Sequence, residues 1–185
     1  MGTALQFEKE KLILAMLYTD EELAEKMQQI LIKTYGELDL ISPAYCFSDI
    51  SPYYDAEMDG KVYRRLFSFR ECRDPSELAE IKIATNALEQ SVAVAGNRRL
   101  NLDPGFISCG RLSLATTKNA GHRIPLHDGI YAELTLFYAR NAWHPFPWTY
   151  MDFKMPQVHE FLLNARKIYM KQRRECCVTD ENVSG

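Results

Sequence analysis

The spacing of apolar residues changes several times along the chain, and each change marks an element. Residues 11–18 (KLILAMLY) form an unbroken apolar run of strand length, which predicts a central strand buried on both faces. Thr19 with Glu22 is a capping-box signature, and Leu23, Met27, Ile30 and Leu31 follow at helical spacing until Gly36 stops the helix. Residues 38–48 alternate loosely around Pro43, as an edge or bulged strand does. Residues 51–60 (SPYYDAEMDG) are a turn-rich connector, either a solvated loop or a lid that closes Tyr53 and Tyr54 over a ligand. Alternation resumes over residues 62–70, with Tyr63, Phe67 and Phe69 on one face and Arg65 among them in need of a partner.

Asp74-Pro75-Ser76-Glu77 is a strong helix start, and the pattern predicts a helix to about Ala95, closed by Gly96. Leu78, Ile81, Leu88, Val92 and Ala95 make its buried seam. Lys82, Asn86 and Glu89 share one flank, which reads as a solvated shoulder or, less commonly, as the wall of a pocket. A further strand is expected near residues 98–102. The order strand, helix, strand, strand, helix, strand is that of an α+β protein with a ferredoxin-like split β-α-β core and a mainly antiparallel sheet.

Strands over residues 111–117, 122–126 and 130–138, separated by the turns at 118–121 and 127–129, extend this core as a C-terminal β-meander. Residues 141–150 (NAWHPFPWTY) combine both tryptophans with two prolines and are expected to lie flat over the sheet. A final helix over residues 156–174 completes a single domain of residues 1–175, with 176–185 expected to be a disordered tail.

Composition narrows the classes. A chain of 185 residues buries roughly 70% of its unfolded surface, so it sustains a core without metal or disulfide staples. The apolar run at residues 12–17 is far short of the roughly 20 residues that span a bilayer. The start fits neither a signal peptide nor a myristoylation site, since Gln6 stands where Ser or Thr is required. Five cysteines without a Cys-x-x-Cys pair read as reduced thiols, with Cys46, Cys72 and Cys109 buried, and the expected location is cytoplasmic. A pI near 5.8 does not favour nucleic acid as a partner.

Within residues 98–123 the charge reverses. Arg98, Arg99, Arg111, Lys118 and Arg123 face one acid, Asp103, in a chain whose net charge is −3. A cationic island in an acidic protein points to a small anionic ligand, and a tight turn lined by Lys118, His122 and Arg123 suits a phosphate or carboxylate. Arg111, Lys118, Arg123 and Asn101 are the candidate ligand-binding residues, with Tyr53 and Tyr54 as a cover. Asp103, His122 and Glu133 are the candidate acid–base residues. The competing reading is that these cations neutralise Asp103, Glu133 and the acidic connector. No phosphate loop, dinucleotide fingerprint, zinc-protease motif or nucleophile elbow occurs. His122, His127, Asp128, Glu133 and His144 lack the spacing of a known metal site, so no metal ligand and no cofactor is assigned.

The same stretch carries a resemblance. Asn101-x-Asp103-Pro104-Gly105, Leu114-Ala115-Thr116-Thr117-Lys118, His122-Arg123-Ile124 and Gly129-Ile130-Tyr131-x-Glu133 are similar to the prokaryotic domain-of-unknown-function family 4416. So are Tyr53-Tyr54 with Glu57-Met58, Glu80-x-Lys82 with Thr85-Asn86, and Pro147-Trp148-Thr149-Tyr150. The resemblance brings positions of interest rather than a mechanism; some relatives carry a GTP-binding label. The expectation is a protein that binds a small anionic, phosphate-bearing ligand, as a hydrolase or transferase if it is an enzyme. The alternatives are an RNA- or protein-binding module using the same basic and aromatic surface, and a nucleotide-binding protein without a phosphate loop.

Overall fold

In the computed structural model the backbone is described for residues 2–181 and the side chains for residues 2–175. β1 (Glu10–Tyr18) is buried along its whole length, as an apolar run covered on both faces must be. α1 (Glu21–Tyr35) follows, capped by Asp20, whose carboxylate accepts from Leu23 N at 3.1 Å. Asp20 therefore takes the cap expected of Thr19. Tyr18 is still in the strand, and an aspartate caps as well as a threonine. β2 (Leu38–Ile41) and β3 (Tyr45–Cys46) are the two halves of the predicted edge strand, interrupted around Pro43, and both pair with β4 (Tyr63–Arg73). Arg65 finds its partners in Glu21, at 2.7 Å, and in the ring of Tyr18.

α2 (Leu78–Ser91) begins after a 3-10 turn capped by Asp74 and ends before the Ala95 expected of it. Val94 and Asn97 bridge instead across a turn in which Ala95 and Gly96 both have positive φ. β5 (Leu100–Ile107) is longer than predicted and carries Pro104 in its interior. The strand order β2-β4-β1-β5 is all antiparallel and is the ferredoxin-like order of a split β-α-β core. α1 and α2 cover one face over a cluster that includes Leu14, Met16, Phe67 and Leu102.

β6 (Arg111–Thr116), β7 (Arg123–Pro125), β8 (Tyr131–Ala139) and β9 (Ala142–Pro145) extend the sheet. Their order in space is β6-β8-β7, with β9 beside β7 on the outer edge of β8. The chain thus skips a neighbour where a simple meander would not: the long partner of β6 is β8, because three residues of β7 offer too little backbone. A bulge opposite Leu112 and Ser113 changes which side chains of β8 face inward. Ile130 joins the first cluster, Leu136 the second, and Glu133 and Thr135 are buried. α3 (Pro156–Glu181) closes the other face through Val158, Phe161, Leu162, Ala165 and Tyr169. It continues past the Arg174 expected as its end, and residues 182–185 of the expected tail lie outside the described residues. Cys46, Cys72 and Cys109 form no disulfide and are half-buried rather than fully buried. Among the described residues no helix is long and apolar enough to cross a membrane.

Candidate functional site

The sheet is not continuous between β5 and β6. Their ladder consists of Gly105–Leu114, Phe106–Ser113 and Ile107–Leu112, and stops there. The sequence Asp103-Pro104-Gly105 explains why. Leu102 directs its N–H and C=O away from β1, so Pro104, two residues on, faces the same way and has no N–H for β6. Gly105 is where the two strands come closest: a Cβ there would stand 2.4 Å from Ser113 O and 2.5 Å from Leu114 Cδ2. The strands touch at Gly105 and splay beyond it.

α2 completes the open edge of β5. Glu89 accepts from Leu102 N at 2.7 Å, and Lys82 Nζ donates to Leu102 O at 2.6 Å. Both side chains are buried, and they stand 3.7 Å from each other. Burial raises the Glu89 carboxyl above its ordinary value, with Lys82 opposing that rise. The flank is therefore a buried, charged wall rather than a solvated shoulder. Its sequence signal was two opposite charges spaced two helical turns apart beside an apolar seam.

A cavity of about 300 Å³ occupies the split. Lys82, Asn86 and Glu89 form one wall, and Leu114 to Lys118 with Glu133 form the opposite one. At one side Arg64 pairs with Asp152, ahead of α3, and lies 3.6 Å from Asp103. Burial works against the Arg64 charge, but Asp152, Tyr45 and Asp103 outweigh it and hold the guanidinium pKa above normal. Asp103 accepts from Asn101 Nδ2 at 2.6 Å and lies 3.4 Å from Lys82 Nζ. The connector covers the cavity: Tyr54 packs on Phe47, Tyr53 stands edge-on to Tyr54, and Glu57 meets Arg98 at 3.3 Å. Burial pushes the Tyr54 hydroxyl up to about 12.

Six of the residues singled out in the sequence thus meet in one place: Tyr53, Tyr54, Asn101, Asp103, Lys118 and Glu133. His122 and Arg123 stand behind Glu133 rather than in the cavity wall. Arg123 Nε donates to Glu133 Oε2 at 2.8 Å, and His122 Nε2 lies 3.2 Å from the same oxygen. Arg123 is itself fixed by Lys118 O at 2.7 Å and by the Tyr150 hydroxyl at 2.9 Å. The His122 ring stacks on Trp148, which in turn stacks on Phe146.

Arg111 is not part of the site. It begins β6, roughly 17 Å of strand from Thr116, and its guanidinium pairs with the buried Glu10 at 2.6 Å. The cationic island is likewise divided by the fold. Arg99 goes to Asp20, Arg98 to Glu57 and Glu89, and Arg123 to Glu133. Lys118 has no carboxylate partner among the described residues, and its ammonium lies 5.5 Å from the centre of the Tyr53 ring. Arg64, Lys82, Glu89 and Asp152 are the site residues that the sequence reading did not assign.

The groups weighed as metal ligands do not converge. His122 meets Glu133, whereas His127 sits between Glu80 and Asp128, and His144 meets Ala139 O. Among the described residues no group of three or more His, Cys, Asp or Glu is placed to hold a metal ion.

The segments that carry the family resemblance, including Asn101 to Gly105, Leu114 to Lys118 and Tyr53-Tyr54, supply most of the cavity wall. A family model described as a domain of unknown function (DUF4416) matches residues 8–169. No curated protein and no solved structure matches the chain. The chain belongs to the DUF4416 family.

Proposed function

We propose that this DUF4416 protein binds a small anionic, phosphate-bearing ligand in the split between β5 and β6, with Tyr53 and Tyr54 as its cover. The observation that carries the reading is Lys118. Among the described residues it stands at the cavity without an ion-pair partner, while every other basic residue of residues 98–123 has one. Arg64, Lys82 and Arg98 also line the cavity but are paired with Asp152, Asp103, Glu89 and Glu57, so Lys118 is the lining cation left for an incoming anion among the described residues. Hydrogen bonds to a charged group are worth roughly 1.5–3 kcal/mol each, so two or three reach the range of millimolar to micromolar binding. A volume of about 300 Å³ is at the low end of ligand pockets and suits a metabolite better than a macromolecule.

If the ligand is turned over, Asp103 and Glu133 are the carboxylates at hand for proton transfer, and Lys118 is the charge that stabilises a phosphoryl or acyl centre. This makes hydrolysis or group transfer the reaction class we favour. The absence of a disulfide at Cys46, Cys72 and Cys109 fits a reducing compartment, and we place the protein in the cytoplasm. A nucleotide such as GTP is the lesser alternative, because the sequence has no phosphate loop.

A second reading, RNA binding, draws on the stack of Phe146, Trp148 and His122, of which Trp148 is exposed and could take an unstacked base. Calorimetric titration with inorganic phosphate, ribose 5-phosphate, GTP and a short single-stranded RNA separates the two. Phosphate esters are expected to bind, and Lys118→Ala to abolish their heat without lowering the melting temperature. Arg111→Ala, remote from the cavity, should leave ligand binding intact. RNA binding lost in Trp148→Ala, with no response to any phosphate ester, would overturn the proposal.

A further inference from the structure

Resting on the reading of the cavity as an anion site, we infer that Tyr150 is a second ligand-binding residue of that site, its hydroxyl donating to the same anion that Lys118 attracts. Tyr150 lies between β9 and α3, lines the cavity and is 44% exposed. A single guanidinium holds it beside Lys118. Arg123 Nη1 donates to Lys118 O at 2.7 Å, and Nη2 donates to the Tyr150 hydroxyl oxygen at 2.9 Å. Its third arm, Nε, is fixed by the buried Glu133 at 2.8 Å. The outer nitrogens of a guanidinium are neighbours in one rigid plane, so the Lys118 backbone and the Tyr150 hydroxyl keep a set spacing.

The direction of the hydroxyl proton follows from the same contact. Arg123 has no acceptor atom, so the tyrosine oxygen accepts and its own hydrogen is left over. Nothing among the described residues accepts that hydrogen. Burial, and after it the charges of Glu133 and Asp103, raises the Tyr150 pKa above its ordinary value, with Arg123 opposing the rise. Glu133 belongs to one wall of the cavity and Asp103 to the other, so the hydroxyl stands within electrostatic reach of both and keeps its proton at neutral pH.

A donor whose oxygen is already engaged by a cation suits a group that only accepts, and the oxygens of a phosphate or carboxylate are such a group. Lys118 supplies charge on a flexible stem, and Tyr150 supplies direction from a ring that Arg123 holds in place. The bland alternative is that Tyr150 serves only as an anchor for Arg123. That role needs the hydroxyl oxygen, whereas binding an anion needs the hydrogen.

Titration calorimetry with inorganic phosphate and ribose 5-phosphate separates the two roles. Tyr150→Phe removes the donor and leaves Arg123 its contacts with Glu133 and Lys118, so both ligands should bind roughly ten- to hundredfold more weakly. 3-Fluorotyrosine at position 150 is a more acidic phenol, hence a stronger donor and a weaker acceptor. Compared with wild type at each pH, that protein should bind both ligands more tightly while the phenol is protonated. The gain should turn into a loss as pH rises through the lowered phenol pKa, because a phenolate has no hydrogen to give and repels the anion. If the fluorinated protein binds no more tightly than wild type while protonated, Tyr150 is an anchor and the inference is wrong. Phosphate binding that Lys118→Ala abolishes but Tyr150→Phe leaves within about twofold also overturns it, and the anion site then stands without Tyr150. If wild-type protein binds neither ligand, both readings fall.

Discussion

Replacing Lys82 with methionine tests the account of the split sheet most directly. Methionine keeps the length and much of the volume of lysine and removes only the ammonium. Leu102 O then loses its donor at 2.6 Å, and Asp103 Oδ1 at 3.4 Å and Glu89 Oε1 at 3.7 Å lose a counter-charge. The carbonyl becomes an unsatisfied acceptor on a buried strand, worth roughly 1–3 kcal/mol. Glu89 becomes a buried carboxylate whose nearest cation, Arg98, is 3.7 Å from its other oxygen. Breaking a buried pair from one side costs roughly 3–5 kcal/mol, and Lys82 is buried enough for that figure to apply. For a chain of this size the loss corresponds to a fall in Tm of roughly 6–20 °C.

Urea denaturation is the assay, since a shift in midpoint at constant slope isolates stability. Combining Lys82→Met with Glu89→Gln should cost less than the sum of the two single changes, by roughly 0.5–3 kcal/mol, because both act on one hydrogen-bonded edge. A Lys82→Met loss below about 1 kcal/mol, or simple additivity with Glu89→Gln, would refute the idea that these side chains substitute for the missing strand.

Gly105→Ala forces a methyl group to within 2.4 Å of Ser113 O, and neither backbone can yield without opening the ladder. It should destabilise the protein by roughly 1–3 kcal/mol, and an unchanged urea midpoint would show that the strands are free to part there. Glu89 also gives a pH dependence of known sign. Burial holds its folded pKa above the ordinary 4.5, so its contribution to stability is complete below about pH 4.5 and is lost as pH rises through the raised folded value. The stability of wild type relative to Glu89→Gln should therefore decline as pH is raised from 4.5 towards neutrality. A difference that is flat or rises over that window would contradict the burial.

What could be read from the sequence was whatever depends on near neighbours. The apolar run of β1, the Asp74-Pro75 start ahead of α2 and the alternation of β4 are written within a dozen residues, and the strand order followed from their sequence. The concentration of polar residues around 101–133 was also visible, and six of its nominated residues meet at the cavity. The partners of the cations were not visible. Arg111 finds Glu10 across 101 positions, and Arg64 finds Asp152 across 88, distances over which charge spacing carries no signal. For Lys82 and Glu89 the less common of the two readings, a pocket wall, is the one the fold adopts. Charges on a helix flank ordinarily face water, and only the gap left by Pro104 gives them a buried backbone to serve. Glu133 was hidden for a like reason: it alternates with Ile130 and Ala132 as the pattern requires, but Arg123 and His122 cover its face.

The junction at Gly105 has a mechanical consequence. Three backbone pairs are the whole ladder between β5 and β6, and they lie at one end of both strands, so beyond them the ferredoxin-like half and the β6–β9 ribbon are held together by side-chain packing against the helices. The cavity is the space between these two parts, with α2 and β5 on one side and β6 and β8 on the other. Anything bound there adds a link between them at the end away from the ladder. Occupancy should therefore be read by the whole β6–β9 ribbon as slower amide exchange, far beyond the residues a ligand touches.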